Sequence, residues 1–75
     1  MVRDYETLRD ALGQNVRRFR LERNLSQEKL AFASDIDRTY VSQIERGTIN
    51  PSLLVLCKVA AALTVDVVEL LNQSK

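Results

Sequence analysis

The sequence predicts an all-α, compact five-helix domain, and three observations carry that prediction. Large apolar residues recur at three- and four-residue steps, as one face of a helix requires. Ser26, Asp37, Ser52 and Asp66 each precede such a run, and each has a side chain that can accept the free amides of a first helical turn. No stretch alternates apolar with polar residues as a half-buried strand would.

The first helix is expected over residues 4–23, where Leu8, Leu12, Val16 and Phe19 form a single stripe. Tyr5 either extends the helix by a turn or lies in a frayed start. Gly13 interrupts the pattern or marks a close approach between helices. Asn24 tolerates the left-handed conformation and is a suitable stop. Ser26 then caps a second helix over residues 27–34, with Glu28 in its positive first turn and Leu30, Ala31 and Ala33 as its apolar face. Lys29 stands where a full capping box would need an acid or Gln. The break at residues 34–36 ends on Ile36, which can pin the turn into a core.

Residues 37–47 hold the third helix, capped by Asp37 and stopped by Gly47, which takes positive φ without strain. At about 100° per residue, Val41 and Ile44 fall on one side with Glu45 on its margin. Thr39, Ser42, Gln43 and Arg46 share the other side, with Arg38 at its edge. That outer side offers hydrogen-bonding groups and positive charge without an acid, and suits the base edges of a DNA major groove.

Pro51 prevents continuation of the third helix from behind, and Ser52 caps a fourth over residues 53–63. There Lys58 is the single charge among Leu53, Leu54, Val55, Leu56, Cys57, Val59, Ala60, Ala61, Ala62 and Leu63. A helix apolar all round is buried all round, so a core is expected on one side and a partner on the other. Cys57 is expected to be a small core residue. Asp66 caps a last helix through Leu71, and the excess of Val65, Val67, Val68 and Leu71 over what a small core absorbs is assigned to a dimer contact.

Composition bounds the rest. Seventy-five residues make a single domain spanning 1–75. Such a chain buries only about 60% of its unfolded surface, which makes self-association a natural support. One cysteine and no histidine supply neither an internal disulfide nor a metal site. Eleven basic and ten acidic residues give a net charge of +1, so overall charge lends no support to nucleic-acid binding. Distribution matters more: Arg17, Arg18, Arg20 and Arg23 face a single acid, Glu22, within residues 17–23. Neither a membrane-length apolar stretch nor a signal-peptide core is evident, and a soluble, cytoplasmic protein is expected.

Two short helices joined by a tight turn, the second capped and outwardly polar, make a helix-turn-helix. The run Leu25-Ser26-Gln27-Glu28-Lys29-Leu30-Ala31, then Ile36 through Gly47, then Asn50-Pro51-Ser52-Leu53, resembles the lambda-repressor-like (Cro and phage-repressor) family. Within it, the small size and the Asp-Arg-Thr-Tyr opening of the third helix are most similar to the controller proteins of restriction–modification systems. Two positions depart from the family pattern. Asp35 and Thr64 stand where the family often has glycine, so the first turn is expected to survive at some cost and the second junction is open to a different conformation.

The resemblance implies that the third helix enters the major groove. Arg38, Thr39, Ser42 and Gln43 would then contact bases, with Arg38 suited to guanine and Gln43 to adenine. Tyr40, on the flank, would meet a phosphate or a thymine or be partly packed, and Arg46 would reach a phosphate or the groove floor. Gln27, Asn50, Ser52 and, more weakly, Arg17 would hold phosphates, which set register without reading sequence. Arg20 and Glu45 would pair inside the domain. The implied partners are double-stranded operator DNA, a second copy of the chain and RNA polymerase, with no cofactor, metal, membrane or small-molecule ligand. A homodimeric regulator of restriction–modification genes heads the function classes. A phage-type repressor, or an antitoxin using the same fold to clasp another protein, is the alternative. An enzyme is not expected, because nothing supplies general acid–base or nucleophilic chemistry.

Overall fold

Five helices follow one another in the computed structural model, which describes residues 2–73. They are α1 (Tyr5–Glu22), α2 (Gln27–Ser34), α3 (Arg38–Arg46), α4 (Leu53–Leu63) and α5 (Val67–Leu71). Among the described residues all regular structure is helical. Each helix starts at a side-chain cap. Asp4, Ser26, Asp37, Ser52 and Asp66 accept from the backbone amides of Thr7, Lys29, Thr39, Val55 and Val68. Such a cap is worth about 1 kcal/mol. Asp66 also forms a complete capping box with Glu69.

The helix ends follow from backbone conformation. Asp35, Gly47 and Thr64 close α2, α3 and α4 in the left-handed region, and Asn24 takes the same conformation just beyond α1. Only Gly47 is free of a Cβ there. The turn at Asp35 therefore survives as the sequence suggests, and Thr64 keeps the conformation a glycine would have, with φ of 58°. Left-handed geometry in a β-branched residue is a strained arrangement, held by its place between two packed helices.

The core gathers Leu12, Val16 and Phe19 of α1, Leu30 and Ala31 of α2, and Val41 and Ile44 of α3. Leu56, Val59, Ala60 and Leu63 of α4 and Leu70 of α5 complete it. α1 packs on α3 and α5, while α2 lies against α3 and α4. Gly13 is the closest point. A Cβ there would stand 2.6 Å from the Ile44 carbonyl oxygen and 2.7 Å from that of Glu45, so α1 and α3 touch backbone to backbone. Asn15, two residues on and so on the other side of α1, is buried against α5, where its Nδ2 donates to the carbonyls of Leu70 at 2.9 Å and Asn72 at 2.6 Å. Those bonds use carbonyls that the end of α5 would otherwise leave unpaired.

Two burial expectations are corrected. Cys57 is exposed. The buried residues of α4 are Leu56, Val59, Ala60 and Leu63, and this roll turns Leu53, Cys57 and Ala61, spaced by four, outward. Ala33 is exposed as well. Ser34 is buried in α2, its hydroxyl satisfied by the Leu30 carbonyl one turn back. The first helix also runs one residue shorter at each end than residues 4–23, because Asp4 is its cap and Arg23 its C-terminal boundary.

Candidate nucleic-acid interface

The roll of α3 is set from inside. Val41 and Ile44 are essentially wholly buried, and the backbone contact at Gly13 fixes how deep the helix sits. With that side committed, Arg38, Thr39 and Arg46 are exposed, while Ser42 and Gln43 are half-buried at the base of the same outward face. Tyr40 is half-buried and packs against the rim of the core. Arg46 lies back along the helix, its Nε donating to the Ser42 carbonyl at 3.4 Å. The Gln43 carbonyl accepts from the amide and hydroxyl of Thr48, closing the helix end. No acid lies in the first turn of α3, so the positive end of its dipole is countered only by the Asp37 cap.

An ion pair locks the two helices of the turn to α1. Arg20 Nε donates to Glu45 Oε2 at 2.6 Å and Nη2 to Oε1 at 2.9 Å, while Nη1 reaches the Leu25 carbonyl at 2.9 Å. Both side chains are nearly enclosed, at 10% and 4% exposure. Hydrogen bonding to Glu45 pushes the Arg20 guanidinium above its ordinary pKa, against the opposing effect of burial and with the help of the carboxylate's charge. Gln27, the first residue of α2, joins this group through Nε2, which donates to Glu45 Oε1 at 3.1 Å.

The structure therefore brings Arg38, Thr39, Ser42, Gln43 and Arg46 onto one side of α3 and ties Gln27 to its inner edge. Arg17 is exposed on α1 and shares with Glu45 a shallow groove of about 470 Å³ between α1 and α3. Asn50 and Ser52 are exposed in the loop after α3, with the Ser52 hydroxyl spent on the Val55 amide. Of the residues assigned to self-association, Val68 is exposed. Val65, Val67 and Leu71 are half-buried against the chain's own core.

Sequence reasoning did not single out two surface features. The exposed side of α4 carries Leu53 and Leu54, at 69% and 65% exposure, with Cys57 and Ala61. Their all-apolar setting pointed to this helix but not to its roll. Phe32 on α2 is 89% exposed, and only its place two residues after the buried Leu30, across the helix from it, could have suggested this. Among the described residues, no group of His, Cys, Asp or Glu is placed to hold a metal, and no helix is long and apolar enough to cross a membrane.

A helix-turn-helix family profile matches residues 16–70. The chain is 52% identical over 66 residues to the control protein C.BamHI of Bacillus amyloliquefaciens, covering 87% of this chain and 82% of that one. The crystal structure of the restriction–modification controller protein C.AhdI from Aeromonas hydrophila superposes with a TM-score of 0.80 at 45% identity, covering 83% of this chain and 94% of that one. The structure of SinR, a master regulator of biofilm formation, in complex with DNA matches with a TM-score of 0.78 at 39% identity, over 81% and 98% of the two chains.

Proposed function

This chain belongs to the helix-turn-helix family of the Cro and phage-repressor type, among whose members are restriction–modification controllers, and from that premise we propose that it is a sequence-specific, DNA-binding transcriptional regulator acting as a homodimeric controller of restriction–modification genes. The observation that carries the reading is the division of α3. Val41 and Ile44 are spent on the core, while Arg38, Thr39 and Arg46 stand clear of it. Arg38 would read guanine through O6 and N7, and the Thr39 methyl would pack on a thymine methyl. Gln43 and Ser42 would read bases deeper along the same face. Gln27, Asn50 and Arg17 would hold backbone phosphates, and Tyr40 and Arg46 the flank.

Two copies would place their α3 helices in successive major grooves, with half-site centres about 34 Å apart and two-fold symmetry in the operator. Val68, the remaining open surface of Val65, Val67 and Leu71, and the exposed side of α4 supply the apolar contact in this reading. Titration of the purified chain onto DNA from upstream of its own gene, at two salt concentrations, tests it. Phosphate contacts release counterions, so affinity should fall steeply with salt, and a scrambled duplex should bind more weakly. Equal binding to both duplexes, or indifference to salt, contradicts the reading.

The exposed Leu53, Leu54 and Ala61 also favour a second reading, an antitoxin-like module that covers this face with a different protein. Sedimentation of the chain alone separates the two. A soluble dimer that buries the face supports the regulator, and a monomer that dimerises only with a foreign partner supports the module.

A further inference from the structure

Glu45 does more than anchor Arg20. Its Oε1 accepts from two helices at once, from Arg20 Nη2 of α1 at 2.9 Å and from Gln27 Nε2 of α2 at 3.1 Å, while it is itself part of α3. A carboxylate offers only acceptors, so only the amide nitrogen of Gln27 can face it. We propose that Glu45 is a positioning residue for DNA docking: with its charge balanced by Arg20, it holds the Gln27 amide by its nitrogen and sets the direction from which that side chain meets a backbone phosphate.

Three physical points support this. Gln27 is the first residue of α2, where free backbone amides and the helix dipole favour an anion. A glutamine there has several rotatable bonds, and freezing a rotamer-rich side chain on binding costs about two- to tenfold in affinity. The bond to Glu45 removes part of that freedom before DNA arrives and uses one of the two amide N–H groups, leaving the other to donate to a phosphate. A lone carboxylate so close to a phosphate site would repel the ligand. Here Arg20 covers both of its oxygens, so the acceptor remains and the net charge does not. The ion pair that joins α1 to α3 thereby also aligns the docking group on α2.

The inference rests on the proposed DNA-binding function, and the test separates the two. Gln27→Met removes the amide and keeps the length. The double variant Arg20→Met/Glu45→Met removes the whole ion pair in favour of apolar side chains, an exchange buried pairs often tolerate. It releases Gln27 without stranding a charge. Operator affinity is measured by anisotropy well below each variant's melting temperature. The expected result is that Gln27→Met costs about tenfold in the unaltered chain, the size of one charge-assisted hydrogen bond, but no more than about threefold in the double variant, the signature of coupled residues. Should the double variant fail to fold, Glu45→Asp replaces it, since a carboxylate one methylene shorter keeps a negative charge opposite the Arg20 guanidinium while lengthening the 3.1 Å contact to Gln27. An equal cost in both backgrounds, or no cost in the unaltered chain, overturns the positioning role while operator binding stands. Failure of the unaltered chain to prefer its operator overturns the functional reading itself.

Discussion

Replacing Gly13 with alanine should destabilise this domain, although alanine is the better helix former by about 1 kcal/mol in a helix interior. The new Cβ would lie 2.6 Å from the Ile44 carbonyl oxygen and 2.7 Å from that of Glu45, whereas ordinary contact begins at 3.4 Å. Relief requires a retreat of 0.7–0.8 Å, the difference between those distances. Both obstacles are backbone atoms of α3, so no side chain can simply rotate away. The whole helix must shift, drawing Val41 and Ile44 from the core and stretching the bonds between Arg20 and Glu45. Overpacking of this kind costs about 1–3 kcal/mol, and with the helix-propensity gain of about 1 kcal/mol set against it the net loss should be up to about 2 kcal/mol. For a domain of this size that lowers the melting temperature by up to roughly 15 °C. Thermal and urea melts followed by circular dichroism read the change directly. A Gly13→Ala variant that melts at or above the unaltered chain would refute the claimed backbone contact between α1 and α3.

Three further outcomes follow from particular residues. Thr64→Gly should stabilise the domain: left-handed geometry costs an ordinary residue about 1–2 kcal/mol, glycine returns about 0.5–1 kcal/mol of that through its flexible unfolded state, and a rise of a few degrees in melting temperature should remain. Arg20→Met leaves the Glu45 carboxylate, 4% exposed, without its cation; it should cost about 3–5 kcal/mol in a urea melt, far more than changing both partners together. The Asp4 carboxyl is held below its ordinary value of 3.8 by the Thr7 backbone amide and hydroxyl. Because the native value is the lower one, this cap contributes fully above the unfolded value and is lost as pH falls through the native one. Asp4→Asn keeps a cap that does not titrate, so melts below about pH 4 should fall less steeply with acid than those of the unaltered chain.

Much of the fold is legible in the sequence because local and global signals agree. Ser26, Asp37, Ser52 and Asp66 mark where helices start, and Asn24 and Gly47 mark where two of them stop. The partition of α3 is legible too, since Val41 and Ile44 are its only aliphatic side chains and they fix which side faces the core. The roll of α4 is not. Apolar residues on every side carry no direction, and only packing against α2 and α5 decides that Leu56 and Val59 turn inward and Cys57 outward. Asn15 escaped notice for a related reason: the carbonyls of Leu70 and Asn72 that satisfy it lie 55 and 57 residues away. At Thr64 the residue type argues against the left-handed conformation, and tertiary packing overrides it. The tie between Gln27 and Glu45 spans two helices, which residue spacing along one helix cannot express.

Competition titrations with Arg38→Ala test most directly whether the outward side of α3 reads base pairs. Arg38 is exposed and belongs to no ion pair among the described residues, so its loss should leave the melting temperature within a few degrees. Loss of a bidentate guanine contact should weaken operator binding by about 1–3 kcal/mol per half-site and lower affinity for scrambled DNA far less. Equal weakening on operator and scrambled duplexes would show Arg38 acting only on the backbone, and would contradict the account.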